Sequence, residues 1–479
     1  MHQVLIIAVF VIVFTHDTFG GALLAGRLSP GWVATLSLAP IITLWIAFTL
    51  RVRLCARAMD RTGSVRAIRR AEDAAAMFRW GVVLLHGANV FVWGAMELVR
   101  DTIGDLILID DLLVLLIPIS AMGAMHWSMY PIERRVREAV LFRRLEEGRP
   151  VHPFPTRWQY TWGCFRQSVL FMGAPLILIL GWGEASDAVL GGAGVDPSSV
   201  LATGVQMVGV LGILILSPPI MRRMWDATPL GDGPLHAHLV ELCERHHVRV
   251  RSILVWRTGG TIVNAAVLGL LARLRYIVLS DALIELLDER EVEAVAAHEI
   301  GHVRRKHVLW LGIAALGSVL IVSAPVGLVA DLTLALTPLG SITLFETLVS
   351  GASLVVVFAG VIVLLGIVSR RFEWQADAFA AQHLSGMTRD RTDVTIQQDA
   401  SATMASALEH VARLNGLDPT KFTWRHGSIR ERQRRLMRLP GREADRLGVD
   451  RQARLVKALS LLALIAGAGV LALETVILP

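Results

Sequence analysis

The sequence predicts a mainly α-helical, polytopic membrane protein. It has about nine transmembrane helices and a cytoplasmic α+β domain assembled from two chain segments. Three observations predict this. Of 479 residues, 54% are hydrophobic and 18% charged, where an ordinary soluble domain is about a quarter charged, and mean hydropathy is +0.54. Apolar runs recur along the chain at lengths suited to a bilayer. Positive charge alternates between the connecting segments: 51–79, 134–166 and the stretch opening with Arg222-Arg223 are rich in arginine, whereas 101–105, 183–199 and 331–346 hold no Lys or Arg. Lys and Arg mark the cytoplasmic side. The N-terminus and both polar segments therefore fall inside and the C-terminus outside, and a bacterial inner (plasma) membrane is the expected location.

The runs lie at Val4–Phe14, Trp32–Leu50, Trp80–Met96, Leu106–Met122, Val169–Trp182, Val200–Ile220, Val308–Val329, Leu348–Val368 and Ala458–Leu473. The first is short, but it lacks a basic leader and a small-residue cleavage site, so it reads as an anchor rather than a signal peptide. His86 and Asp110-Asp111 fall within apolar runs. They either line a polar chamber or sit near a membrane interface. After a turn-rich linker at Pro229–Gly233, the spacing predicts a helix over Leu235–His246. Strands follow over Val250–Trp256, Thr261–Leu270 and Arg275–Ser280, the first two joined by a turn at Gly259-Gly260 to make a small meander. Helices over Asp281–Leu287 and Asp288–His307 come next, with Asp288 and Glu291 as a capping box. Beyond the two-span hairpin, residues 386–400 are polar and read as a mobile loop, and Ala402–Leu414 reads as a helix.

One pentapeptide carries chemistry: His298-Glu299-Ile300-Gly301-His302. On a helix, two His four residues apart share a face and can reach one tetrahedral Zn²⁺ ion, with Glu299 beside the metal as a general base on a water. The bland alternative is a charged surface helix, but the apolar flank Val292, Val295, Ala296 and Ala297 suits a buried one. A third ligand is needed. His307 does not fit the metzincin spacing, since Arg305 and Val308 stand where Gly and His would be required. Glu373 completes a His₂Glu set, leaving the fourth position to water. Asp377, one turn further on, can accept the free ring N–H of a ligating His. Alone, these two acids would read as an exposed pair near a helix start.

HEIGH, a long insertion and then Ser369-Arg370-Arg371-Phe372-Glu373-Trp374-Gln375-Ala376-Asp377-Ala378-Phe379-Ala380 resembles the integral-membrane zinc peptidases that include HtpX and the CAAX prenyl endopeptidases, gluzincins with HExxH and a downstream ExxxD. Asn264-Ala265 matches that family's substrate-strand Asn-Ala, and His426-Gly427-Ser428-Ile429-Arg430-Glu431-Arg432 is similar to its His-Pro-Ser-x-x-x-Arg element, with Gly427 in place of Pro. The resemblance covers roughly residues 230–440. It implies a zincin-like domain with one zinc ion on His298, His302 and Glu373. It further implies catalysis by Glu299, oxyanion stabilisation by His426, substrate binding by Asn264 and Ala265, and support from Asp377 and Arg432. The expected organisation is a transmembrane region 1–221, a catalytic segment 222–306, a transmembrane hairpin 307–369, a second catalytic segment 370–454 and a C-terminal span 455–479.

The expected function is zinc-dependent hydrolysis of membrane-associated or misfolded proteins at the cytoplasmic face. CAAX-type processing of lipid-modified peptides, or a non-proteolytic transporter or scaffold, stands as the alternative. The expected partners are protein or peptide substrates and the bilayer. Net charge is +6 with 47 Lys and Arg, yet no basic face with aromatics or nucleic-acid module appears, so nucleic acid is not expected. Cys55, Cys164 and Cys243 have no metal or disulfide spacing. Oligomeric state is not readable from the sequence.

Overall fold

The computed structural model describes residues 2–17, 21–148, 151–196, 199–337 and 343–477. It divides into two units, Met1–Trp225 and Asp226–Pro479.

The first unit is helical throughout: α1 (His2–Phe14), α2 (Pro30–Thr62), α3 (Val65–Ala88), α4 (Ala95–Ile103), α5 (Ile109–Glu146), α6 (Arg157–Phe165), α7 (Phe171–Gly192), α8 (Val200–Leu216) and α9 (Pro218–Met224). A π-turn at Asn89–Trp93 prolongs α3, and another at Arg166–Leu170 joins α6 to α7. His86 is fully buried and bonds the Val9 carbonyl at 3.2 Å. Asp110 and Asp111 are also buried, in the first turn of α5, where Arg100 donates to Asp110 at 2.7 Å. These ionisable groups are thus interior to the unit and at least one is paired, as charges within apolar spans require.

In the second unit, β1 (Ala227–Pro229), α10 (Pro234–Arg245), β2 (Ser252–Trp256), β3 (Ala265–Leu268) and β4 (Tyr276–Ser280) precede α11 (Asp281–Leu286) and α12 (Glu289–Arg304). Two long helices follow, α13 (His307–Leu336) and α14 (Thr343–Leu384), then α15 (Gln398–Leu414), α16 (Ile429–Leu436) and α17 (Gly448–Ile477). Among the described residues of both units, seven helices are long and apolar enough to cross a membrane. The α8–α9 pair, bent by 47°, makes an eighth if it counts as one span, and the apolar stretch Leu5–Phe14 is a shorter helix. Each of the nine apolar runs is helical over most of its length. The first falls short because its 13 residues reach only about 20 Å. The sixth breaks at Ser217 because Pro218 and Pro219 cannot donate to the preceding turn.

The sheet order is β1-β2-β4-β3, with β2 parallel to β4 and β3 antiparallel to it. This corrects the meander. Gly259 and Gly260, at φ +66° and +71°, do not turn a hairpin, because the Asp281 carboxylate accepts the N–H groups of Thr258, Gly259 and Gly260 at 3.0, 2.8 and 3.3 Å. That anchor folds the loop over the start of α11 and leaves β4 to insert between β2 and β3. The capping box is corrected too. Asp288 accepts the Glu291 N–H at 2.8 Å, but the Glu291 carboxylate turns to Ser406 and His410, both at 2.7 Å, tying α12 to α15. Residues 386–400 are not loose either. Val394 and Ile396 insert into the core, the Ile396 N–H donates to the Arg442 carbonyl and the Ala444 N–H to the Val394 carbonyl, and the Ile396 carbonyl accepts from Gly441.

Alanine brings the long helices together. Ala294, Ala296 and Ala297 on α12 and Ala376, Ala380 and Ala381 on α14 are all fully buried, so the two backbones approach closely. Helix α14 has 42 residues, about 63 Å, roughly twice the hydrocarbon thickness. Its second half therefore continues beyond a bilayer's thickness, buried against α12. Helix α17 packs on α13 through glycines: a Cβ on Gly317 would lie 2.8 Å from the Ser460 carbonyl, and one on Gly467 2.3 Å from Leu320 Cβ.

Candidate active site

Helix α12 presents His298 and His302 on one face, and α14 presents Glu373 opposite them. The two imidazole Nε2 atoms lie 3.2 Å apart. Glu373 Oε2 is 3.7 Å from His298 Nε2, and its Oε1 is 3.8 Å from His302 Nε2. Among the described residues this is the one His/Cys/Asp/Glu group whose ligand atoms all lie within 4.8 Å of one another. A tetrahedral zinc ion with bonds of about 2.0–2.1 Å separates its ligand atoms by roughly 3.3 Å, so the donor set and spacing fit one ion.

Two of the three have a charged neighbour in support. Asp377 Oδ1 lies 3.0 Å from His298 Nδ1, although not aligned as a hydrogen bond. Arg432, buried on α16, donates to both Asp377 oxygens at 2.8 and 2.6 Å and sits 3.3 Å from Glu373. Burial opposes the Arg432 charge, but Asp377 and Glu373 outweigh it and hold the guanidinium firmly protonated. Burial drives His302 down to about 3, leaving a neutral ring whose Nε2 lone pair is available. For His298, burial pulls downward, but the neighbouring Asp377 raises the net value. Glu299 follows His298 on the helix. Burial lifts it to about 7, against partial opposition from His298, Arg432 and the backbone N–H of Val267 on β3. A dication beside it would pull that value back down.

His426 Nδ1 lies 3.0 Å from Glu373 Oε1, and the His426 side chain is about half exposed. Its loop closes through paired Thr423–Gly427 backbone bonds of 3.1 and 2.9 Å. Gly427 has φ +74°, which proline cannot adopt, and this accounts for glycine at that position. Asn264 is exposed just before β3. Its carbonyl accepts from Ser280 N–H at 2.9 Å. With a period of two, Val263, Ala265 and Val267 then turn their backbone groups toward the free edge of the sheet. Asn415 takes both backbone groups of Val263, at 3.0 and 2.8 Å. Asn415 is a residue that the sequence reading missed, with no signal in the chain to mark it.

Residues 235–439 match the profile of peptidase family M48. The matched stretch is less than half of the chain but contains every site residue named above. Among curated proteins, the plastoglobule-localized metallopeptidase 48, chloroplastic, of Arabidopsis thaliana is 36% identical over 77 residues, 16% of this chain and 22% of that protein. The chain thus spans only about a fifth of the length of the curated relative it matches. Among solved structures, the crystal structure of S. mikatae Ste24p aligns with a TM-score of 0.44 at 17% identity, over 85% of this chain and 98% of that one.

Proposed function

We propose that this chain is a membrane-embedded, zinc-dependent endopeptidase that cleaves membrane-associated or misfolded proteins at the cytoplasmic face. The observation that carries the reading is the convergence of His298, His302 and Glu373 from two helices beside Glu299. His298, His302 and Glu373 would hold one zinc ion, which supplies Lewis acidity and acidifies a water. Glu299 accepts the proton of the attacking water on its carboxylate and returns it to the leaving amine. Asp377 and Arg432 hold His298 and Glu373 in place. His426, on the open side of Glu373, donates toward the developing oxyanion. The free edge of β3, at Ala265, pairs with an extended peptide through backbone hydrogen bonds, and Asn264 adds a side-chain contact beside it. Such pairing imposes little sequence demand, which suits a substrate class defined by exposure rather than by motif. The cytoplasmic assignment rests on charge. Arg304, Arg305, Lys306, Arg370 and Arg371 flank the outer ends of the α13–α14 hairpin, whereas 331–346 has no Lys or Arg.

The test uses the full chain purified in detergent, as wild type and as Glu299→Gln, with casein and an unfolded membrane protein as substrates. One zinc per chain in both, with cleavage in wild type alone, is the expected result. Retained turnover in Glu299→Gln removes Glu299 as the base, and failure of both proteins to take up supplied zinc sinks the peptidase reading.

A further inference from the structure

The metal-facing side of His302 is matched by a second, buried side that the HExxH and ExxxD motifs do not account for. Nδ1 of His302 lies 2.9 Å from Nδ1 of His307, the first residue of α13. Nε2 of His307 lies 2.9 Å from Gln375 Oε1 on α14. The Gln375 amide nitrogen in turn donates to Asp450 Oδ1, in the first turn of α17. Arg305 stands 3.4 Å from the same Asp450 oxygen. His307 is completely buried, Gln375 is 4% exposed and Asp450 9%. The His307 ring is also stacked face to face on Phe372, with centroids 4.4 Å apart and planes within 2°.

This row can carry its protons in only one direction. A carboxylate only accepts, so Gln375 must turn its NH₂ to Asp450 and its oxygen to His307. An amide oxygen only accepts, so the His307 proton is on Nε2 and its Nδ1 is a bare lone pair. A lone pair there demands a proton on His302 Nδ1. A neutral imidazole holds one proton, so His302 Nε2 is left unprotonated. That is the nitrogen facing His298 and Glu373.

We propose that His307, Gln375 and Asp450 are positioning residues that lock His302 in its metal-binding tautomer and orientation. The proposal rests on the zinc reading above. It also makes the last apolar helix a structural part of the metal site, because Asp450 lies in the first turn of α17. A second contact runs the same way: Lys457 of α17 donates to the Arg305 carbonyl at 2.7 Å. The left-handed backbone of Lys306, at φ +56°, reverses the chain between α12 and α13 and returns His307 toward His302.

Outer partners of zinc-bound histidines typically change metal affinity by about 10–100-fold. The test is zinc competition against a chromophoric chelator, with Co²⁺ absorption as a readout of ligand geometry, on the detergent-solubilised full chain. Gln375→Met keeps the shape and removes the acceptor. His307→Phe removes the imidazole, and His307→Asn restores an acceptor near the position of Nδ1. The expected result is zinc binding weakened at least tenfold in Gln375→Met and His307→Phe, with altered Co²⁺ bands, and partial recovery in His307→Asn. Far-UV circular dichroism of the metal-free proteins identifies any variant that has lost its fold, and the folded ones decide the question. Gln375→Met that is folded and binds zinc within twofold of wild type overturns the inference while leaving the peptidase reading intact. Wild type that takes up no zinc overturns both.

Discussion

Replacing Arg432 by Met should unsettle the metal-free protein more than any other single change at the site. The guanidinium makes two charge-assisted bonds to Asp377, at 2.8 and 2.6 Å, and a 3.3 Å contact with Glu373. Both acids are buried, at 3% and 6% exposure. Methionine fills similar space and carries no charge, so two carboxylates one helical turn apart would face each other with only histidines for company. Breaking a buried pair by removing one partner costs about 3–5 kcal/mol. For a folding unit of this size, each kcal/mol corresponds to a melting shift of roughly 2–4 °C. The metal-free variant should therefore melt on the order of 6–20 °C below wild type. Zinc supplies positive charge to the same carboxylates, so the gap should narrow when zinc is added in excess. Arg432→Lys keeps the charge but loses the planar fork and should fall between the two. Thermal unfolding of the purified full chain, with and without chelator, measures this. A metal-free Arg432→Met that melts with wild type would refute the argument that this ion pair holds the acids.

Glu299 should reveal its burial through pH. Its folded value, about 7, is above the ordinary 4.5, so the ionised form costs stability. The cost is absent below about pH 4.5 and complete above about pH 7. Metal-free Glu299→Gln should match wild type at pH 4 and melt higher at pH 8, and equal melting at both pH values would contradict it. Gly301 lies under Phe379, where an added Cβ would sit 3.1–3.2 Å from the ring and its Cβ. Alanine gains about 1 kcal/mol of helix propensity against an overpacking cost of about 1–3 kcal/mol. Gly301→Ala should thus be neutral to mildly destabilising and Gly301→Val clearly destabilising, as thermal melts would show. Asn415→Ala should cost about 1–3 kcal/mol by leaving the two Val263 backbone groups unpaired. Unchanged melting would show that water replaces the amide without loss.

What could be read from sequence was what repeats at short range. HExxH and ExxxD are each one helical turn, and apolar runs announce their own length, so the helices and the three ligand candidates were visible. The sheet order was not. It depends on Asp281 capturing three N–H groups of the Thr258–Gly260 loop, a contact about twenty residues away that turns an apparent hairpin into a crossover. His307 was visible only as a failed third ligand. Its role depends on a left-handed Lys306, a conformation that a lysine does not advertise. Residues 386–400 looked loose because of their charges, yet the apolar side chains of Met387, Val394 and Ile396 anchor them in the core.

The second half of α14 also shows why a surface reading of Glu373 and Asp377 fails. An exposed helix has one buried stripe, but residues 372–383 are all buried. Glu373 and Asp377 share one face, toward α12 and α16, while Gln375, two residues from each, turns toward α13 and α17. Further along, the Gln382 amide donates to the Ala444 carbonyl and His383 bonds Glu293 and His246. The charges do not balance by themselves. Glu373 and Asp377 face one buried cation, Arg432, and Glu299 adds a further negative charge when ionised. A dication offsets that deficit once it displaces the proton that Asp377 favours on His298, and the His302 ring is already neutral. The same acids that make the metal-free protein sensitive to Arg432 are therefore what should make it bind zinc.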